Sequence, residues 1–102
     1  MTDLPTDAVR VVATIPTKPE ATEAVRGALR ELAAASLRDE EGCLAYDVFE
    51  SQAKPGVFVT IEAWRGKDDL DAHMGTPHVA SAIGILGDGL DGNLDIHPLA
   101  PL

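Results

Sequence analysis

The stretch from residue 56 to residue 78 holds the side chains best suited to chemistry, which are Glu62, Trp64, His73 and His78. Residues 57–64 alternate between two rows that are both largely apolar, which predicts a β-strand buried on both faces. Glu62 falls in one of these rows. A carboxylate is costly there unless other groups hydrogen-bond to it. We therefore predict that Glu62 marks a functional site or belongs to a buried ion pair.

The two histidines lie five residues apart, on either side of a predicted helix break at Gly75 and Pro77. This spacing differs from the i, i+4 pair of a helical metal site, and no acidic third ligand stands at a matching position. We therefore predict no metal site. A histidine titrates near neutral pH, so His73 or His78 is well suited to take the proton of a phenolic hydroxyl. A capping or packing role is the alternative for at least one of them.

Trp64 is the one tryptophan of the chain. It either packs in the core or forms a flat wall for an aromatic ligand, with its indole N–H as a hydrogen-bond donor. Tyr46 and Asp47 are neighbours on a predicted strand, so they point to opposite faces and cannot both line one pocket. The chain has no glycine-rich loop of the dinucleotide or phosphate type. We therefore predict that the protein uses no organic cofactor.

The elements that position these side chains follow the order β-α-β-β-α-β. The predicted strands are residues 9–15, 43–50, 57–64 and 90–97. The first predicted helix is capped near Thr17 or Lys18, has Pro19 in its first turn and runs to about residue 37. The second covers residues 69–74 and is followed by a segment that Thr76 caps and Pro77 begins. This order predicts an α+β, ferredoxin-like fold with an antiparallel sheet and helices on one face. We expect a flexible N-terminal arm over residues 1–7 and one domain over residues 8–102.

The central strand predicts a partner, because its two rows of side chains are both apolar while helices cover only one face of the sheet. A chain of 102 residues cannot cover the second face itself. A homodimer packed sheet against sheet is the economical solution, and it leaves a pocket between each sheet and its own helices.

Composition excludes several classes of partner and location. The net charge of −9, with eight Lys and Arg, argues against nucleic-acid and anionic-membrane binding. Cys43 is the one cysteine, which excludes an internal disulfide and fits a reducing compartment. The sequence shows no signal peptide and no apolar run long enough to span a membrane. We therefore predict a cytoplasmic protein.

Two segments, EEGCLAYDVFES and FVTIEAWRGKDDLDAHMGTPHV, resemble the antibiotic biosynthesis monooxygenase family, and in particular its quinol monooxygenase-like members. The matching features are Glu41-Gly42-Cys43 with Tyr46, Glu62-x-Trp64, Leu70-x-x-His73, and Thr76-Pro77-His78. The resemblance implies a ferredoxin-like fold and dimeric α/β barrels formed sheet to sheet. It also implies oxidation of quinols or polycyclic phenols by O2 without metal or flavin.

The resemblance implies roles for the candidate residues as well. His73 and His78 become the catalytic base or hydroxyl partner, Glu62 becomes an orienting carboxylate, and Trp64 becomes a wall for the substrate ring. We add Phe58, Thr60 and Tyr46 as substrate-binding residues. The haem-degrading branch of the family carries an Asn on the first strand. Residues 9–15 contain none, so we do not expect haem degradation.

Two other functions stay open on this fold, because a fold does not establish a reaction. One is a non-catalytic dimer that binds or senses a small molecule. The other is an isomerase or lyase that acts on a small oxygenated metabolite and uses the same histidine as a proton shuttle.

Overall fold

The computed structural model describes residues 4–102, so the first three residues of the predicted arm lie outside the described residues. Within the rest of that arm, the backbone N–H of Ala8 donates to the carbonyl of Pro5 at 3.0 Å and closes a turn before the first strand. The flexibility of the arm stays a prediction.

The described chain contains four strands and three α-helices, with two short 3-10 helices, Pro19–Ala21 and Gly87–Gly89. The strands are β1 (Val9–Pro16), β2 (Cys43–Glu50), β3 (Val57–Trp64) and β4 (Asp95–Leu99), and the helices are α1 (Thr22–Asp39), α2 (Lys67–His73) and α3 (Pro77–Leu86). The strand order is β2-β3-β1-β4 and every neighbouring pair is antiparallel. This confirms the predicted α+β, ferredoxin-like fold.

The last strand begins later than predicted. It starts at Asp95 rather than at residue 90, and Leu90 forms an isolated bridge with Thr17 instead. Two glycines between α3 and β4 have positive φ angles, 32° at Gly87 and 110° at Gly92. Such backbone angles interrupt regular structure and favour glycine. The segment between them therefore serves as a connection, and the strand forms only after it.

A β-bulge between Cys43 and Ala45 changes which residues of β2 face the helices. Simple alternation places Leu44 in the same row as Tyr46 and Val48. In the structure Leu44 is exposed, while Cys43 and Tyr46 are both buried. A bulge adds one residue to one strand, so the alternation before it is shifted relative to the alternation after it.

Helices cover one face of the sheet, and the large core side chains lie between the two layers. Phe58 and Trp64 on β3 pack there with Val25 and Leu29 on α1. The opposite face of the sheet carries exposed apolar residues, with Ile61 at 47% and Phe49 at 54% exposure. The two apolar rows of β3 are therefore present as predicted, whereas their cover by a second chain stays a prediction. None of the helices in residues 4–102 is both long enough and apolar enough to cross a membrane.

Candidate active site

A cavity of about 80 Å³ lies between the sheet and the helical layer. Its polar lining consists of Tyr46, Thr60, Glu62 and His73, and the rest of its wall is apolar. The apolar wall is formed by Ala13, Ile15, Leu29, Leu32, Leu70, Met74, Val79, Ala82, Ile83, Leu86, Leu94 and Ile96. The polar groups come from β2, β3 and α2. The cavity is thus an apolar chamber with chemistry confined to a few side chains.

The cavity is small and its mouth is apolar. Met74, Ile83 and Ile96 line it while staying between 42% and 52% exposed, so they stand at its opening. A cavity of about 150 Å³ is known to take up benzene. The present volume is therefore short of a polycyclic ligand, and entry of an aromatic substrate requires these three side chains to move outward.

Glu62 is buried, and its carboxylate accepts two hydrogen bonds from side chains of its own strand. The Thr60 hydroxyl donates to Oε2 at 2.7 Å, and the Trp64 indole N–H donates to Oε1 at 3.0 Å. Residues two apart on a strand point to the same face, which brings the three side chains together. Both donors are neutral, so the prediction of a buried ion pair is wrong. The second prediction for Glu62, a place in a functional site, is consistent with its position in the cavity wall.

His73 is the last residue of α2 and is 3% exposed. Its ring centroid lies 4.4 Å from that of Trp64 and 5.8 Å from that of Tyr46. Its carbonyl accepts bonds from the hydroxyl of Thr76 at 2.7 Å and from the backbone N–H of the same residue at 3.1 Å. The turn between α2 and α3 therefore fixes the backbone of His73, while the aromatic neighbours fix its ring.

Glu40 is a functional candidate that the sequence did not reveal. Its Oε2 lies 2.7 Å from Nδ1 of His73 and 2.7 Å from Nε2 of His78. Glu40 follows α1, and its backbone N–H donates to the carbonyl of Ser36 at 3.1 Å. In the sequence it is one of four consecutive charged residues, and nothing local distinguishes it from its acidic neighbours. Only the packing of the α1–β2 turn against α2 and α3 brings it to the histidines.

The shared oxygen determines which nitrogens of the two rings carry protons. A carboxylate only accepts hydrogen bonds, so Nδ1 of His73 and Nε2 of His78 are both donors to it. When the imidazole of His73 is neutral, its Nε2 carries no proton and is a hydrogen-bond acceptor on a ring that lines the cavity. An Asp carboxylate orients the catalytic histidine of serine proteases in the same way. The geometry is therefore compatible with a proton-accepting role for His73, which stays a prediction.

Glu40, His73 and His78 are also the donor types of a metal site, and their ligand atoms lie within 4.8 Å of one another. An acidic third residue is therefore present, and our sequence argument that none exists is wrong. However, both nitrogens lie at hydrogen-bond distance from one oxygen, 2.7 Å in each case. Ligands around one ion, each at about 2.0–2.2 Å from it, stand roughly 3 Å or more apart. The present geometry fits hydrogen bonding, and the absence of a metal stays a prediction.

The structure separates the remaining candidates. Thr60 and Tyr46 line the cavity, and their role in substrate binding stays a prediction. Phe58 and Trp64 do not belong to its lining and are 1% and 0% exposed. The expectation that Trp64 presents a flat wall to the ligand is therefore not met, because its indole lies behind Glu62 and His73. His78 does not line the cavity either, although its ring centroid lies 5.9 Å from that of His73.

Burial keeps two further side chains protonated. The pKa of the Tyr46 hydroxyl is raised, first by burial and then by the charge of Glu62. Tyr46 is therefore a hydrogen-bond donor in the cavity rather than a base. Burial, followed by the charges of Glu40 and Glu62, raises the pKa of the Cys43 thiol to about 11. A thiol in this state is a poor nucleophile at neutral pH.

Comparison with known proteins identifies the family. The antibiotic biosynthesis monooxygenase family profile matches residues 8–84. A Mycobacterium tuberculosis protein named "Putative monooxygenase Rv0793" is 36% identical over 97 residues, which are 95% of this chain and 94% of that protein. The solved structure of that protein has a TM-score of 0.84 at 34% identity, covering 93% of this chain and 95% of the other. A Caulobacter crescentus structure titled "putative antibiotic biosynthesis monooxygenase" has a TM-score of 0.87 at 28% identity, covering 94% and 91%. This chain is a member of the antibiotic biosynthesis monooxygenase family.

Proposed function

We propose that this protein is a cofactor-independent monooxygenase that oxidises a quinol or phenol with O2 in the cavity between sheet and helices. The observation that carries the proposal is the pairing of His73 with Glu40. It leaves one imidazole nitrogen available to accept a proton in a chamber whose wall is mostly apolar. Family membership supports a monooxygenase-like function in general, and the substrate class and the use of O2 are our proposal.

The reaction begins when Nε2 of His73 takes the proton of a phenolic hydroxyl. The resulting phenolate is electron-rich and passes one electron to O2, which gives a substrate radical and superoxide. These combine to form a carbon–oxygen bond, and the resulting peroxide loses water. One oxygen atom of O2 then remains in a hydroxyquinone, and the other leaves as water with two hydrogens of the quinol. A positioned base is worth about 10²–10⁴ in rate.

The other cavity residues hold the substrate and exclude water. We propose that the Tyr46 hydroxyl, which stays protonated, donates to one oxygen of the substrate. Glu62 is fixed by Thr60 and Trp64 and accepts a bond from the second hydroxyl. The apolar wall keeps water from the reacting atoms, which strengthens these polar contacts. The mouth formed by Met74, Ile83 and Ile96 admits the ring.

A second candidate function follows from the presence of two proton-transfer groups in one cavity. The imidazole of His73 and the carboxylate of Glu62 both line it. Two such groups can remove a proton from one carbon of a small oxygenated metabolite and return it to another, as an isomerase does. This reaction needs no oxygen, which separates it from the first candidate.

We also propose that two copies of the chain pack sheet against sheet to form a dimeric α/β barrel. Support comes from the exposed apolar residues Phe49 and Ile61 on the uncovered face of the sheet. A cytoplasmic location remains part of the proposal and rests on the single, buried thiol of Cys43.

Oxygen consumption with a reduced 1,4-naphthoquinone and with a monocyclic quinol tests the function. We expect uptake of one O2 per quinol above the rate without protein, reduced about 10²–10⁴-fold in His73→Ala. The matched control is Asp71→Ala, which removes an exposed side chain from the same helix as His73. Release of deuterium from substrate carbon without oxygen uptake would favour the isomerase instead. Binding of the quinone with neither reaction would indicate a binding protein.

A further inference from the structure

The role of His78 is not explained by the cavity. It is the second residue of α3, its side chain is 16% exposed, and it does not line the chamber that His73 lines. Instead it lies on open depressions of the outer surface, beside Arg38 and Thr76. A base must come within hydrogen-bond reach of the proton that it removes, directly or through one water. His78 is therefore badly placed to act on a substrate in the cavity.

We infer that His78 is a positioning residue that acts on His73 through Glu40, an inference that rests on the proposed function for its kinetic part. The two imidazoles donate to the same carboxylate oxygen at the same distance, 2.7 Å. One oxygen of Glu40 thus connects the histidine that lines the cavity to the histidine at the surface. The described hydrogen bonds of the Glu40 side chain are those with His73 and His78. Without His78, no described hydrogen bond would hold this carboxylate from the surface side.

The second hydrogen bond has two physical effects on Glu40. It fixes the direction of a carboxylate that is only 12% exposed, so that Oε2 stays in line with Nδ1 of His73. It also satisfies part of the buried negative charge, which would otherwise remain poorly solvated. Partners of this kind orient the residue that does the chemistry, and removing one typically costs 10–100-fold in function at comparable metal sites.

Two substitutions distinguish positioning from direct proton transfer. His78→Phe keeps a ring of similar shape and removes both nitrogens. His78→Gln keeps an N–H donor at about the reach of Nε2 and removes a group that can exchange a proton near neutral pH. If His78 positions Glu40, His78→Phe lowers kcat about 10–100-fold with little change in KM, and His78→Gln recovers most of that loss. If both variants lose the same activity, the assignment is overturned.

A second measurement does not depend on any activity. The chain has three histidines. In ¹⁵N NMR spectra of protein labelled with ¹⁵N-histidine, the signals of each histidine are therefore assigned by a variant that lacks it. We expect His73 to carry its proton on Nδ1 and His78 to carry its proton on Nε2. In His78→Phe, His73 should become a mixture of the Nδ1–H and Nε2–H tautomers. In His78→Gln, the Nδ1–H tautomer of His73 should again predominate.

The spectra and the kinetics test the positioning role and the proposed function independently. If the spectra agree but no quinol is oxidised, the proposed function is wrong and the positioning role of His78 stands. An unchanged His73 form in His78→Phe overturns the positioning role, even if oxygen uptake is confirmed. One equivalent of bound zinc or iron in the purified protein, lost in Glu40→Gln, would also overturn it, because the nitrogens would then face an ion.

Discussion

Glu40 and His73 are 33 residues apart in the chain, yet Oε2 of the first lies 2.7 Å from Nδ1 of the second. Glu40 follows the carboxyl end of α1, and His73 is the last residue of α2. Because the carboxylate occupies Nδ1, the remaining nitrogen of His73 is the one available to the cavity. This single contact orients the ring of a buried histidine, and our proposal of a catalytic base rests on it.

The first prediction concerns this contact. Glu40→Gln removes the charge that favours an Nδ1–H imidazole and the imidazolium that follows proton uptake. We expect a large loss of kcat with a small change in KM, since the substrate does not touch Glu40. Steady-state oxygen uptake measures it. The matched control is Glu41→Gln, which changes an exposed neighbour of the same type and should have no effect. Equal losses in both variants would contradict the role of Glu40.

The second prediction concerns Trp64, whose indole N–H binds Glu62 behind the cavity. Trp64→Phe removes this donor and leaves a buried carboxylate oxygen without it. We expect unfolding free energy to fall by about 1–3 kcal/mol, measured by urea denaturation. In a Glu62→Gln background the same substitution should cost less, because the charge is absent. A higher KM with unchanged stability would instead mean that Trp64 contacts the ligand ring, as we expected from the sequence.

The third prediction tests the dimer. Ile61→Lys places a charge on the uncovered face of the sheet, at a residue that is 47% exposed in the single chain. If a second chain covers it, the buried charge costs several kcal/mol and the dimer dissociates. The control is Ile85→Lys on α3, where the isoleucine is 49% exposed and faces away from the sheet. Sedimentation measures both, and a folded monomer of the unmodified protein would exclude the sheet-to-sheet dimer.

The fourth prediction is a loss of stability at alkaline pH. The pKa of Cys43 is raised from 9.0 to about 11 in the folded protein, and burial also raises that of Tyr46. The contribution of the protonated Cys43 thiol to stability is therefore fully present below pH 9. It is lost as the pH rises toward 11, because in that range the thiol ionises only in the unfolded chain. A pKa raised by two units corresponds to a loss of about 2–3 kcal/mol in the free energy of unfolding. Urea unfolding between pH 7 and about pH 11 should show this loss, and Cys43→Ala should show less of it.

The fifth prediction is that the protein purifies without a stoichiometric metal or organic cofactor. The two imidazoles of the Glu40 site are held by hydrogen bonds at 2.7 Å, which is shorter than the separation of ligands around an ion. Elemental analysis and an absorption spectrum of the pure protein decide the matter. One iron or zinc for each chain would mean that His73 and His78 serve as ligands, and one flavin would contradict a cofactor-independent reaction.

Much of the fold was determined by local sequence. The alternation in residues 57–64 predicted β3 with its bounds, because side chains of a strand alternate between faces whatever the strand packs against. Thr76 and Pro77 predicted the start of α3, and the Thr76 hydroxyl accepts a hydrogen bond from the N–H of Val79 at 3.3 Å. The same alternation placed Thr60, Glu62 and Trp64 on one face, so the neighbours of Glu62 on its own strand could be predicted from the sequence.

Only the tertiary structure decided which side chains form the site. Glu40 reaches His73 and His78 across 33 and 38 residues, and no local pattern separates it from the charged residues beside it. The position of Trp64 behind the cavity also depends on how α2 packs against β3, which alternation does not specify. Local periodicity determines which face a residue occupies. The partners on that face depend on how distant segments pack. This packing brought His73 to Glu40 in the cavity wall and placed His78 outside the cavity.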